Sequence, residues 1–191
     1  MRKVFFATGN PHKLKEAKRV LSKYGITVEQ LTVKRVEVQS ESLEEIARFS
    51  LEHVMREVHL DGVVLVEDAG LFIEALNGFP GPYSSYVFSK IGNEGILKLM
   101  DGVENRRAKF ESVVAAVNQS RIVTFRGEVL GVIAHEAKGG KGFGFDPIFI
   151  PYEGDGRTFG ELEVEEKNAL SHRARALRKL AEWLTGSSKI I

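Results

Sequence analysis

Residues 4 to 16 read "VFFATGNPHKLKE", an apolar run that passes through a glycine, an asparagine and a proline into a lysine-rich segment. Residues 2 to 7 have the character of a buried strand. Asn10 then stands where an N-cap side chain accepts backbone N–H bonds, and Pro11 falls on the first helical position, where its missing N–H is no loss. Leu14, Ala17, Leu21 and Tyr24 recur at helical spacing, Gly25 is a natural stop, and "ITVEQLTV" from residue 26 resumes as strand. The opening is a βαβ unit, which seeds a parallel sheet.

Outward from it, Ser42 and Glu45 form a capping box for a second helix through Ile46, Leu51, Val54, Met55 and Val58. "GVVLVEDAG" at 62–70 follows as a continuous apolar strand, the pattern of one covered on both faces, and is expected to end on its acids. The texture then changes. "NGFPGPYSS" is turn-rich, a short helix is expected near "NEGILKLM", and residues 107 to 117 and 121 to 135 read as two long strands of an antiparallel hairpin around "NQS". A glycine-rich loop, "KGGKGFGFDP", leads to a short strand "IFI", and a helix over about 164 to 184 closes the chain. The expected fold class is α/β: a mixed, strongly twisted sheet with a parallel N-terminal part, an antiparallel extension, flanking helices and a central cleft. Residues 1–191 are read as a single domain, with two lobes around that cleft.

Composition narrows the function. With 43% hydrophobic residues over 191 positions the chain can build a core, and disorder is excluded. Lys and Arg total 27 against 26 Asp and Glu, a net charge of +1, so nothing favours a nucleic-acid-coating or membrane-surface protein. There is no cysteine, which excludes disulfides, thiolate metal sites and a cysteine nucleophile. No apolar run approaches the roughly 20 residues of a membrane span, and the expected compartment is the cytoplasm. The five histidines show no zinc-site spacing.

The candidate chemistry lies in four places. At the opening turn, a helix N-terminus offers N–H groups and a partial positive charge to an anion; Thr8 and Asn10 precede it and Lys13 reaches back from the first turn. The competing reading is a well-capped helix with a solvated lysine. Glu67 and Asp68, at the carboxyl end of a parallel strand, alternate in direction, so that one of them faces a ligand crevice; the alternative is a plain turn. In "GKGFGFDP", Phe143 and Phe145 can stack on a base or fold inward, and Asp146 before Pro147 can accept bonds from a ligand or form an Asx turn. On the last helix, Leu170, Ala174, Leu177, Ala181 and Leu184 form an apolar stripe. At about 100° per residue Arg173 falls some 45° from its centre, Lys167 flanks the other shoulder and His172 points nearly away. An arginine so placed is paired, binds something, or snorkels to water.

Taken together, "ATGNPHKLKE", "VEVQ", "VEDAGLFIEALNGFPGPYSS", "GFGFDPIFIP" and "EEKNALSHR" occur in one order over nearly the whole chain. In this the sequence resembles the non-standard purine nucleoside triphosphate pyrophosphatase family, which includes inosine triphosphate pyrophosphatase. The resemblance implies hydrolysis of ITP, dITP and XTP to the monophosphate and pyrophosphate in the nucleotide cleft, with Mg2+ as cofactor, in a homodimer that binds neither nucleic acid nor membrane. It implies that Thr8, Gly9, Asn10, Pro11, His12 and Lys13 hold the triphosphate, that Glu37 and Asp68 hold the metal, and that Asp68 is the catalytic base. Phe143, with Gly144 and Phe145, would present the stacking surface, Asp146 and Lys167 would contact the nucleoside end, and His172 and Arg173 would recognise the 6-oxo group. The family commonly has serine where this chain has Ala69, which removes one substrate contact but not the metal chemistry. Two alternatives share parts of the pattern: a septum-inhibitor-like nucleotide pyrophosphatase of other base preference, and a non-catalytic nucleotide-binding protein.

Overall fold

A computed structural model describes residues 2–33, 36, 38–118 and 121–186. The strand β1 (Arg2–Ala7), the helix α1 (Pro11–Ser22) and the strand β2 (Ile26–Leu31) form the expected opening, with β1 and β2 parallel and in register from Arg2 opposite Ile26 to Ala7 opposite Leu31. Next come α2 (Leu43–Glu57), β3 (Val63–Ile73), β4 (Pro80–Gly81), α3 (Ser84–Leu99), β5 (Arg107–Asn118), β6 (Arg121–Ile133), β7 (Phe149–Pro151), α4 (Val164–Leu170) and α5 (His172–Thr185). The strands form one mixed sheet in the order β2-β1-β3-β5-β6-β7, with β4 paired to β3. β1 runs parallel to β3, while β3 with β4 and β6 with β7 are antiparallel, the parallel start and antiparallel extension expected from the sequence.

Four local expectations are corrected. β3 does not end on its acids but runs six residues beyond Glu67, to Ile73, because Leu71 and Phe72 gain a new partner in β4 after the pairing with β1. Ser42 caps α2 through the Glu45 N–H, but the Glu45 carboxylate does not return to the Ser42 N–H: Ser40 Oγ accepts that N–H and donates to Glu45 at 2.6 Å, completing the box by relay. The helix near "NEGILKLM" is longer than expected, sixteen residues, and is broken inside at Gly92, whose φ of 59° only glycine adopts readily. The closing helix is two helices, since Ser171 is extended (ψ 151°) and ends α4. Angular arithmetic carried across that break fails: His172, expected to point outward, is buried.

The described residues divide into two compact units. Unit 1 comprises the described residues within 1–68, 112–127 and 173–191; unit 2 comprises 69–111 and 128–172. The core of unit 1 packs Val4, Phe6, Leu65 and Val114 against Val20 and Leu21 of α1 and Leu177 and Leu180 of α5. That of unit 2 gathers Leu71, Ile96, Phe110, Phe149 and Phe159. Both cores follow from the apolar faces of amphipathic helices laid on strands whose apolar residues the sequence places together.

Candidate active site

In unit 1 the opening turn is built by its own side chains. Thr8 Oγ1 accepts the Asn10 N–H at 3.1 Å, and Asn10 Oδ1 accepts the N–H groups of His12 and Lys13 at 2.9 and 3.2 Å. Gln30 on β2 donates to the Thr8 carbonyl, which ties the turn to the sheet. Since Pro11 has no N–H, the first helical turn keeps no bare donor. The unsatisfied helix terminus of the sequence reading is thus corrected: what the turn presents to an anion is the exposed Gly9, Pro11 and His12, the helix dipole and the partly exposed Lys13.

Glu67 and Asp68 part company as strand geometry requires. Asp68 is partly exposed, whereas Glu67 is fully buried and lies at the centre of a charge network. Lys13 Nζ stands 2.8 Å from Glu67 Oε2; on Oε1, Ser112 Oγ donates at 2.6 Å and Arg173 Nε at 3.0 Å. Arg173 Nη1 in turn donates to Glu16 at 2.6 Å. Burial by itself would raise the Glu67 carboxyl, but the charges of Arg173 and Lys13 and the bonds from Lys13 and Ser112 outweigh it and hold the group well below the usual carboxylate range. Two cations and two anions are therefore locked together, the condition for burying any of them. The shoulder position of Arg173 on its helix means pairing rather than snorkelling.

Glu16 and Ser112 are members of this network that the sequence reading missed. Glu16 had a signal: it is an acid among Ala17, Val20 and Leu21 on the buried face of α1, and a buried carboxylate must be paired. Ser112 had none, because a serine inside an apolar strand is commonplace.

In unit 2 the loop resolves its two phenylalanines differently. Phe145 folds inward against Phe88, ring centroids 5.3 Å apart, while Phe143 is only partly buried. Asp146 is buried; its Oδ2 accepts the Phe143 N–H at 2.8 Å and the Lys167 ammonium at 2.6 Å. The ammonium also lies 4.9 Å from the centre of the Phe143 ring and 5.8 Å from that of Phe159, a cation held between two aromatic faces. Gly142 permits this closure, because with φ at 76° a Cβ there would run into the Asp146 carboxylate. Asn93, just past the break in α3, donates to the Gly144 carbonyl at 3.3 Å. His172 lies flat on Phe110, 4.7 Å between ring centres and 10° between planes.

Phe143, Gly144, Phe145, Asp146, Lys167, His172 and the partly exposed Ala69 thus belong to unit 2, and Thr8 to Lys13, Asp68 and Arg173 to unit 1. His172 and Arg173, adjacent in sequence, engage different partners. Glu37 lies outside the described residues. Among the described residues no group of three or more His, Cys, Asp or Glu side chains could hold a metal ion. The donor chemistry that fits magnesium is smaller: the partly exposed carboxylate of Asp68, with further oxygens from outside the described set or from phosphates.

Residues 4–183 match the Ham1 family. A protein of Methanopyrus kandleri named "dITP/XTP pyrophosphatase" is 58% identical over 182 residues, 95% of either chain, and one of the same name from Hyperthermus butylicus is 50% identical over 96% of this chain and 95% of its own. Among solved structures, a HAM1 protein from Coxiella burnetii superposes with a TM-score of 0.84 at 32% identity over 97% of this chain and all of that one. The Staphylococcus aureus Ham1 protein gives 0.81 at 28% identity over 98% of this chain and all of its own. Alike from end to end in sequence and in fold, the chain belongs to the Ham1 family.

Proposed function

We infer that this protein hydrolyses non-standard purine nucleoside triphosphates, dITP, XTP and ITP, to the nucleoside monophosphate and pyrophosphate. The observation that carries this is its 58% identity, over nearly all of both chains, to a protein named for dITP and XTP cleavage. The two groups of side chains divide the work. Thr8, Gly9, Asn10, Pro11, His12 and Lys13 take the triphosphate, whose charge is met by an ammonium already positioned by Glu67. Asp68, partly exposed beside that pair, accepts the proton of the water that attacks the α-phosphorus, and the electrons of the broken P–O bond leave with pyrophosphate. Glu37 and Asp68 would hold Mg2+, which supplies charge neutralisation on the phosphates.

Phe143, with Gly144 and Phe145 shaping its loop, stacks on the purine, and Asp146 and Lys167 meet the nucleoside end. His172 and Arg173 donate to the 6-oxo group, which accepts, whereas the 6-amino group of adenine presents hydrogens to the same donors and leaves them unpaired. Ala69 makes no hydroxyl contact. We further propose a cytoplasmic homodimer: Tyr86, Tyr152 and Leu130 of unit 2, each more than half exposed, are side chains of the kind a partner subunit covers.

The purified protein with magnesium should release pyrophosphate from XTP, dITP and ITP at least about a hundredfold faster than from ATP, the discrimination expected of a site that hydrogen-bonds the differing group. Equal rates on all standard nucleotides would sink the specificity, and orthophosphate as first product would place cleavage at another bond. Light scattering on the same preparation should give twice the chain mass of 21.3 kDa; a single mass would exclude the dimer.

A further inference from the structure

We propose that Phe110 is a positioning residue for base selection: its ring fixes the plane of the His172 imidazole and so aims the ring nitrogen that meets the 6-oxo group. The inference rests on the assignment of His172 as a base-reading residue. Nothing in the covalent structure of histidine sets that plane, since rotation about the bond to an sp2 ring is broad. Yet the donor of an imidazole lies in the ring plane, and a hydrogen bond weakens steeply once it bends below about 120°. A reader of a single oxygen therefore needs its ring held.

Phe110 does this face to face. The two rings are nearly parallel, 10° apart, at 4.7 Å, so any tilt of the imidazole must push against the phenyl ring. Phe110 is itself clamped. Its ring meets Phe149 edge-on at 4.8 Å and 62°, and stands 6.2 Å and 19° from that of Phe159. Phe149 and Phe159 are fully buried, so neither can move aside to let Phe110 turn. His172 is 3% exposed, which leaves no water layer to take over the support. Position 172 begins α5 immediately after the extended Ser171, where the backbone of a continuous helix no longer constrains the side chain. The aromatic stack supplies what the helix break removes.

The test replaces the flat face and keeps apolar volume: Phe110→Leu and, as a second route should leucine pack badly, Phe110→Met, with Phe110→Tyr as the variant that retains the face. Steady-state pyrophosphate release from XTP and ATP is compared. In the leucine and methionine variants KM for XTP should rise about 2- to 10-fold, the range an aromatic pair is worth, with kcat within about twofold, and the XTP over ATP preference in kcat/KM should narrow by a similar factor. Phe110→Tyr should behave as the native protein. An unchanged KM and preference in a folded leucine or methionine variant overturns the inference, and so does an equal fall in kcat on both substrates, the mark of a merely structural role.

His172→Ala separates the role of His172 from that of Phe110. A narrowed preference in His172→Ala without one in the Phe110 variants removes only the role of Phe110, whereas no change in His172→Ala removes the base-reading assignment and this inference with it. In the native protein, NMR should find the His172 ring protons shifted upfield by the Phe110 ring current. Ordinary histidine shifts there would overturn the stack without any variant.

Discussion

Glu67 and Asp68 are one bond apart in sequence and opposite in physical circumstance. The pleat turns one into the interior, where two cations and a serine engage it, and leaves the other partly exposed. A carboxylate that takes a proton from water must be reachable, which favours the partly exposed Asp68 as base and the buried Glu67 as the group that positions Lys13. Asp68→Asn is therefore expected to lower kcat by at least about a hundredfold, the scale of a lost general base, while the melting temperature stays close to native. Pyrophosphate release by a folded Asp68→Asn protein at the native rate would remove Asp68 from the chemistry. At this scale the pair "ED" stood out in the sequence as a candidate site, and the alternation of a strand even required the two to differ. Which of them was buried was not legible, because that depends on Arg173, distant in sequence, and on Ser112 of β5.

Among the elements, the loop from Gly142 to Asp146 shows how a short segment is held in one shape. The Asp146 carboxylate takes the backbone N–H three residues earlier and the Lys167 ammonium of α4, and the absence of a side chain at Gly142 lets the loop close on it. Gly142→Ala places a methyl group in both a left-handed backbone conformation and the space of the carboxylate. The expected cost is about 1 kcal/mol in stability from the backbone alone. A rise in KM for XTP should accompany it, with kcat nearly native, since in the proposed function the loop receives the base and not the phosphates. A Gly142→Ala enzyme with native KM would show that the loop's shape does not govern base binding. The glycines, the two phenylalanines and the Asp-Pro pair announced a special loop in the sequence. Their division into one inward and one partly exposed ring did not follow from pattern, for either ring fits a glycine-rich backbone. The break between α4 and α5 was missed for a related reason: "NALSHRARAL" has helical composition throughout, and one extended serine, buried and ending α4 with its N–H on the Lys167 carbonyl, interrupts it.

For the whole molecule, near-zero net charge conceals concentrated charge inside. Glu67, Glu16, Arg173, Asp146 and Lys167 are all buried, and each is satisfied by an opposite charge. Such pairs contribute little over apolar packing but are costly to break from one side. For Glu67 the sign with pH is definite. Its carboxyl is held far below its ordinary value of 4.5 in the folded state, so its contribution is fully present above about that pH and is lost as pH falls through the folded value. Stability from this group should be level from neutral pH down to about 4.5 and decline below it. Denaturation midpoints of native protein and Glu67→Gln, compared from pH 7 to 3, should converge at the acid end. A constant gap over that range would mean that Glu67 is not the titrating group.

The sequence by itself determined the order and type of most elements: the capped opening helix, the parallel start, the antiparallel hairpin and the turn-rich stretches between them. These are local consequences of periodicity, caps and turn residues, and a chain carries that information within a few residues of where it acts. It also brought together five motifs whose order implied the family. Only the tertiary structure decided which acid is buried, that Glu16 and Ser112 complete the network around it, that β3 continues through its acids, and that His172 lies on Phe110. Those outcomes are set by partners distant in sequence, such as Glu67 with Arg173, and by the requirement that every buried charge find its opposite. A single strand or helix carries no record of either.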